Sequence, residues 1–305
     1  MIDFTDLPVR NKTYAGANGS KISVLYHGEQ YMLKFPPAPS RNQAMSYTNG
    51  TPSEYIGCHI FESVGIPVQE TLLGVYTKKG KKKVVVACKD FTSPGIVLQD
   101  FASLKNTIID SVHNGYGTEL GDILQTLQEQ TVMDPHKLTN WFWDIFIVDA
   151  LIGNWDWHNG NWGFLYNTQT DAVTLAPVYD CGSCLYPQAD DEVMQRCLED
   201  QSERDLRVFD IPLSGIKQNG QKIRYFDFIS SLKNKECNQA LKRIWPRIDM
   251  KAIYEIIDHT PFISDLQKDF YKTMLTERKE RILDFAYEKL RRRERTKERS
   301  CEMER

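Results

Sequence analysis

The chain contains no apolar run long enough to cross a membrane as a helix, which sets aside an integral helical membrane protein. It also lacks a basic excess. Its 38 Lys and Arg stand against 41 Asp and Glu, and a formal charge of −3 is not the footprint of a nucleic-acid binder. The opening Met1-Ile2-Asp3-Phe4-Thr5-Asp6 has neither the basic nor the apolar region of a signal peptide. The expected location is the cytoplasm, with signal-independent export to a host as the other option. Cysteine is sparse: seven residues, an odd number, scattered without a disulfide framework. Cys181 and Cys184 form one Cys-x-x-Cys pair, but no second Cys or His pair stands at zinc-ligand spacing. Small residues in a turn are the plain reading there, and a redox or zinc site is the alternative. No internal repeat is present.

What is there is an ordinary globular composition, 41% hydrophobic and 26% charged over 305 residues, enough for one large domain or two lobes. The pattern divides near residue 90. Residues 1–13 read as an irregular arm. Ile22–Tyr26 and Tyr31–Phe35 read as strands about a turn at 27–30, with Tyr31, Leu33 and Phe35 on one face and Met32 and Lys34 on the other. Thr51-Pro52-Ser53-Glu54 has the form of a helix start, with Thr51 at the N-cap, Pro52 at N1 and Glu54 at N3 of a capping box. Ile56, Ile60 and Val64 then recur at intervals of four, and Gly65 stops the helix. Ile66–Tyr76 and Val84–Lys89 read as two strands joined through the basic tip Lys78–Lys83, a solvated turn in the simplest reading. Beyond 90 the chain turns helical. Residues 100–130 suggest helix interrupted at Gly115-Tyr116-Gly117, Leu138–Ile152 is apolar on nearly all sides, and 190–305 is mainly helical with a solvated, fraying Arg- and Glu-rich end. A hairpin, 161–166 with 173–179, interrupts this stretch.

The chemistry concentrates in Gly153-Asn154-Trp155-Asp156-Trp157-His158-Asn159-Gly160-Asn161 and in Ala176-Pro177-Val178-Tyr179-Asp180. An aspartate followed five residues on by an asparagine, with a second aspartate at the end of a later strand, is what a phosphoryl-transfer site requires. Asp156 would orient an attacking hydroxyl and accept its proton. Asn161 and Asp180 would hold magnesium, a hard cation that takes oxygen ligands and keeps some of its own water. Asp and Asn also bond to their own backbone in loops, which is the structural reading of the same residues. His158 serves either as a second base or, more simply, as a brace for the loop, and Trp155, Trp157 and Trp162 shield it. Asp144 and Asp149, in the buried helix, call for hydrogen-bond partners rather than chemistry.

Upstream, Gly16-Ala17-Asn18-Gly19-Ser20-Lys21 precedes a strand, where bare backbone can approach phosphate oxygens. The returning strand carries Lys34 in an apolar setting, a costly position unless the amine is paired. A phosphate-binding lysine and an edge-strand guard both fit. Glu54 is the candidate partner of Lys34, and the same carboxylate is the candidate helix cap.

At these residues the chain resembles the HipA-like serine/threonine protein kinases. The resemblance rests on Gly16 to Lys21, Lys34, Ser53-Glu54, the run Leu151 to Asn161, and Leu175 to Asp180. Met45-Ser46-Tyr47-Thr48-Asn49-Gly50 and Cys181-Gly182-Ser183-Cys184-Leu185-Tyr186-Pro187 are similar to its compact cell-translocating kinase A subgroup. It covers about residues 14–190 firmly and the helical remainder loosely. It implies an α+β, two-lobed protein-kinase-like fold, with a small β-rich N-lobe over 1–90 and a larger helical C-lobe over 91–305. It implies ATP with Mg2+ and a protein substrate with a Ser or Thr acceptor. Asp156 would be the base, Asn161 and Asp180 metal ligands, and Lys34 a phosphate contact, with Ala87, Cys88 and Lys89 reaching the adenine edge. Toxin members carry an extra N-terminal subdomain that contacts an antitoxin. This chain starts almost at the glycine loop, so an antitoxin partner is doubtful and a free-standing or exported kinase is the expectation. Members also autophosphorylate in that loop, where Ser20 lies close to Thr13 and Tyr14. A small-molecule or lipid kinase of related fold, and a nucleotide-binding pseudokinase scaffold, are the competing functions.

Overall fold

The computed structural model describes residues 1–14, 20–36, 48–109 and 114–303, with side chains described to Glu298. Gly16, Ala17, Asn18 and Gly19 of the expected phosphate loop therefore lie outside the described residues, as do Met45, Ser46 and Tyr47. No described helix is long and apolar enough to cross a membrane.

The N-terminal region builds a six-stranded sheet in the order β1-β5-β6-β4-β3-β2. Its strands are β1 (Ile2–Asp3), β2 (Val9–Arg10), β3 (Lys21–Tyr26), β4 (Glu29–Lys34), β5 (Thr71–Lys78) and β6 (Lys81–Lys89). β1 runs parallel to β5, and the other pairings are antiparallel. The turns are tighter than the sequence pattern implies. His27-Gly28 and Lys79-Gly80 all take positive φ, as two-residue hairpins between twisted strands require. The arm expected over residues 1–13 is not irregular, since β1 and β2 close the two edges of the sheet. Two-residue strands are too short to show alternation, and only fully buried Phe4 betrays the docking.

The faces of β4 divide as its alternation predicts. Tyr31, Leu33 and Phe35 join Phe4, Val24, Val85 and Ala87 in one core. Met32 packs on the other side with Leu73, Val86, Cys88 and Tyr55, toward α1 (Gly50–Ser63). α1 also sends Ile56, Cys58, Ile60 and Phe61 into the main core, shared with the helices that follow. The helix begins at Gly50 after the N-cap Asn49, not at Pro52 after Thr51. The expected capping box does not form, because the Asn49 side chain is drawn into tertiary contacts and Glu54 has another partner.

Beyond the sheet, α4 (Pro135–Ile152) is the central helix, with twelve buried residues. Around it lie α2 (Phe101–Ile108), α3 (Leu120–Glu129), α5 (Asp191–Glu199), α6 (Gln201–Asp205), α7 (Tyr225–Ser231), α8 (Lys235–Ile244), α9 (Met250–His259), α10 (Asp265–Arg278) and α11 (Phe285–Met303). The expected hairpin is present as β8 (Gly163–Asn167) and β9 (Val173–Leu175), but a further strand, β7 (Ile96–Asp100), pairs on the other side of β8. β7 sits where the sequence pattern suggests no strand, because its solvent-facing residues break the apolar run. A small ribbon of β10 (Lys217–Gln218) and β11 (Gln221–Lys222) lies between α6 and α7. The result is a mixed α/β architecture with a sheet-rich N-terminal region and a helical remainder.

Gly163 sits directly opposite Asp100, and a Cβ there would stand 2.1 Å from the Gln99 carbonyl oxygen. Gly163→Ala should therefore push β7 off β8 and lower stability by about 1–3 kcal/mol in urea unfolding. An unchanged midpoint would show that β7 yields freely.

Candidate active site

α4 ends at Gly153, whose left-handed backbone (φ 65°) turns the chain out of the core into the loop 154–162. That loop is fixed from within and from outside. Asn154 Nδ2 donates to Asp149 Oδ1 at 3.0 Å, and the Asp156 N–H donates to Asn154 Oδ1 at 3.2 Å. The Asn161 N–H donates to the His158 carbonyl at 2.8 Å, and Asn161 Nδ2 donates to the Asp156 carbonyl at 2.9 Å. The Gly160 N–H donates to His158 Nδ1 at 3.0 Å, so the imidazole is a brace of the loop. Asn159 Nδ2 reaches the Gly115 and Gly117 carbonyls at 2.7 and 2.8 Å. Trp157 and Trp162 are buried among Phe142, Trp141 and Phe101, whose ring stacks on Trp162 at 3.9 Å. The partners expected for the helix carboxylates are present: Arg243 Nη2 lies 2.7 Å from Asp144, and Asn154 serves Asp149.

Lys34 lies on β4, an interior strand between β6 and β3, which excludes the edge-guard reading. Its amine donates to Glu54 Oε2 at 2.8 Å and to Asp180 Oδ1 at 2.7 Å. Burial works against its charge, but the carboxylates of Asp180 and Glu54 reverse this and raise its pKa well above the ordinary lysine value. Lys34 in turn holds Asp180 below the usual carboxylate range. Glu54 is 2% exposed, and burial pushes its pKa up despite the amine beside it. Its Oε1 accepts from the Cys181 N–H at 3.2 Å, so the carboxylate is used twice over and not for capping.

Asp180 takes φ 64°, in the left-handed region that non-glycine residues seldom visit and that recurs at functional sites. The turn behind it needs small residues. A Cβ on Gly182 would approach Glu54 Oε2 to 2.9 Å, and the Cys184 N–H donates to the Cys181 carbonyl at 3.2 Å. Cys181 and Cys184 are free and buried, as small residues of this turn. Among the described residues, no group of three or more His, Cys, Asp and Glu side chains is placed to hold a metal.

Asn161 is bonded to the Asp156 carbonyl, and the Asp180 charge bears on the Asp156 carboxyl, so Asp156 has both as neighbours. Burial raises the Asp156 pKa, the Asp180 charge raises it further, and the charges of His158 and Lys222 oppose the rise. Ser183 Oγ stands 3.5 Å from Asp156 Oδ2. Lys21, at the start of β3, is directly opposite Lys34, and burial followed by the Lys34 charge lowers its pKa. The Phe35 N–H donates to the Ser20 carbonyl at 3.1 Å. Ala87 and Cys88 are different in kind. Both are fully buried in β6, whose neighbours β4 and β5 pair with it on either side, and Lys89 turns to Glu29 and Glu70. Sequence reasoning missed Ser183 as a neighbour of Asp156, although the stretch 181–187 had been singled out. It also missed Tyr225, whose hydroxyl donates to the Asn154 carbonyl at 2.5 Å from 71 residues away, with no local signal to announce it.

A two-carboxylate, one-amide cluster closed by a strand lysine, on a sheet-rich N-terminal region and a helical remainder, defines a protein of the kinase-like class. The family described as HipA-like C-terminal domain matches residues 9–253, and the chain belongs to that family. It is 51% identical to the serine/threonine-protein kinase CtkA of Helicobacter pylori strain J99, over 94% of this chain and 87% of that protein. The crystal structure of the H. pylori proinflammatory kinase CtkA superposes with a TM-score of 0.89 at 50% identity, covering 95% of this chain and 97% of the other. HipA from a Shewanella oneidensis toxin–antitoxin complex with HipB and operator DNA shares the fold at 16% identity, with a TM-score of 0.54 over 92% of this chain and 68% of its own. The chain accordingly stands with the serine/threonine protein kinases of HipA-like type.

Two substitutions test this geometry. Glu54→Gln leaves a buried amine with one carboxylate, and should cost about 3 kcal/mol in urea unfolding. A loss below about 0.5 kcal/mol would show that Asp180 alone sustains Lys34. Burial raises the Asp149 carboxyl well above its ordinary value, with the Asn154 bond pulling the other way. An acid whose folded pKa is raised loses stability as pH climbs from its unfolded value, about 3.9, toward the folded one. Asp149→Asn should therefore gain on the wild type as pH rises from about 4 to 7, by at most about 1.4 kcal/mol per pH unit. Parallel stability curves would contradict it.

Proposed function

We propose that this chain transfers the terminal phosphoryl group of ATP, with Mg2+, to Ser or Thr hydroxyls of protein substrates. The observation that carries the reading is the Lys34 amine held between Glu54 and Asp180, beside a loop that presents Asp156 and Asn161. A relative that is 51% identical is named a serine/threonine-protein kinase, which supports the same activity here.

The donor chemistry suits a hard divalent cation. Asp180 is kept ionised by Lys34, and its side chain is 45% exposed, toward solvent rather than the core. The Nδ2 of Asn161 is committed to the Asp156 carbonyl, which leaves Oδ1 as the amide's ligand atom. An ionised carboxylate and an amide oxygen are a normal protein share of a magnesium site, phosphate and water completing it. When bound, the metal would offset charge on the phosphate oxygens.

The protein's own groups supply the rest. Lys34 presents a charged amine to the α and β phosphates from a rigid strand. Asp156 accepts the proton of the attacking hydroxyl, and its raised pKa makes it a better acceptor than an exposed aspartate. The loop's internal bonds hold the Asp156 backbone in place before substrate arrives, so the position of its carboxylate is narrowed in advance. Ser20, with Thr13 and Tyr14 nearby, is the site we assign to self-phosphorylation that limits ATP access. Mass spectrometry after incubation with ATP should find phosphate within residues 13–20, and its absence would remove this part of the reading.

Asp156→Asn should lower turnover by about 10²–10⁴-fold while nucleotide affinity stays near wild type. Asp180→Asn should weaken magnesium-dependent nucleotide binding as well. Radiolabelled transfer to a basic protein, with and without magnesium, and calorimetric titration with ATP read out both. Wild-type transfer rates in the two variants would refute the assignment.

A further inference from the structure

The β10–β11 ribbon takes no part in the chemistry above, yet it is fastened to the catalytic loop at both ends. At its entry Gly215 lies so close to Trp157 that a Cβ would stand 2.3 Å from the Trp157 carbonyl oxygen. Just past its exit, Tyr225 bonds to the Asn154 carbonyl. Its outer side is tied as well. The Lys217 N–H donates to the Thr118 carbonyl at 2.8 Å, and the Glu119 carboxylate accepts from the Asn219 and Gly220 N–H groups at 2.6 and 3.1 Å. A two-stranded ribbon is marginal alone, and these contacts make this one a fixed platform.

Lys217 and Lys222 are directly opposite each other across the ribbon, so their side chains leave the same face. That face is turned toward the catalytic loop, because the Lys222 amine lies 5.7 Å from the centre of the Trp155 ring, one residue before Asp156. Both lysines are exposed. Among the described residues neither amine forms an ion pair with a carboxylate, since Glu119 is occupied by backbone N–H groups. Like charges directly opposite each other weaken a ribbon, and the Lys222 charge also bears on Asp156, whose pKa it lowers. Two exposed positive charges on a fixed ribbon beside Asp156 are suited to an anionic group that arrives with the substrate.

We propose that Lys217 and Lys222 form the anion-recognition part of the protein-substrate site, selecting Ser or Thr acceptors flanked by Asp or Glu. The proposal rests on the reading of Asp156 as the base. A hydroxyl delivered to Asp156 brings its neighbouring residues past Trp155 and over this face of the ribbon. Two lysine amines on flexible stems reach carboxylates at more than one spacing, which gives a charge preference rather than a strict motif.

The test uses the full chain with ATP and magnesium, and peptides with one acceptor hydroxyl and acidic, neutral or basic flanks. The wild type should favour acidic over neutral flanks in kcat/KM by about three- to tenfold, the range of one or two exposed ion pairs. The ratio should fall as salt is raised. Lys217→Ala and Lys222→Ala should each move it toward one, Lys222→Arg should keep it, and Lys217→Glu with Lys222→Glu should shift the preference to basic flanks. Each variant's rate on the neutral peptide is its own reference, so changes in folding or in the strength of the base divide out. Failure of the wild type to phosphorylate any peptide overturns the kinase reading itself. Transfer without acidic preference overturns this inference alone. So does a Lys222→Ala defect confined to the KM for ATP and equal for all peptides.

Discussion

The buried amine of Lys34 is the constraint on which the rest of the molecule depends. It is a cation on an interior strand, and it stays charged only because two carboxylates converge on it from other elements. One comes from the first helix and one from the turn after β9, so a single side chain ties sheet, helix and turn together. Removing Lys34 would leave two carboxylates facing each other, one of them buried, which is far costlier than losing a surface ion pair. The ion pair therefore acts as a positioning device. Glu54 is anchored on its other side by the Cys181 N–H, which fixes the backbone directly after Asp180. The place of the exposed carboxylate is thus set by buried atoms behind it.

Much of this was legible in the sequence because charge in an apolar context is conspicuous. Lys34 stood out on a strand whose other residues are hydrophobic, and Asp156, Asn161 and Asp180 stood out by spacing. The same local logic misled at the first helix. Thr51-Pro52-Ser53-Glu54 has a capping signature, yet the helix starts earlier, and the Asn49 side chain donates to the Ala189 carbonyl at 2.7 Å and accepts from Gln267 at 3.0 Å. A carboxylate offered a buried ammonium does not settle for a backbone N–H, and no local window contains that ammonium. The edge strands β1 and β2 were hidden for a related reason, since two residues carry no period. The placement of Ala87, Cys88 and Lys89 also needed the sheet order, because only the partners of β6 show that its backbone is already paired.

The loop 154–162 shows how far support can come from in the chain. Asn154 alone is held by Asp149 from the preceding helix and by Tyr225 from the start of α7. Arg278, on α10, donates Nε to the Ala150 carbonyl at 2.8 Å and so grips the end of α4 from below. The helical remainder, which looked like bulk in the sequence, thus serves as the mould that keeps nine loop residues in one shape. The match to the family likewise runs well past the motif, to residue 253.

The left-handed backbone at Asp180 narrows what can ever stand there. The extra methylene of glutamate would keep the charge but not the ease with which a short polar side chain tolerates that conformation. Glycine would relax the backbone and remove the carboxylate that pairs with Lys34. Asparagine would keep the shape and forfeit the charge that Lys34 neutralises. Backbone and charge therefore set separate demands at this position, and aspartate meets both.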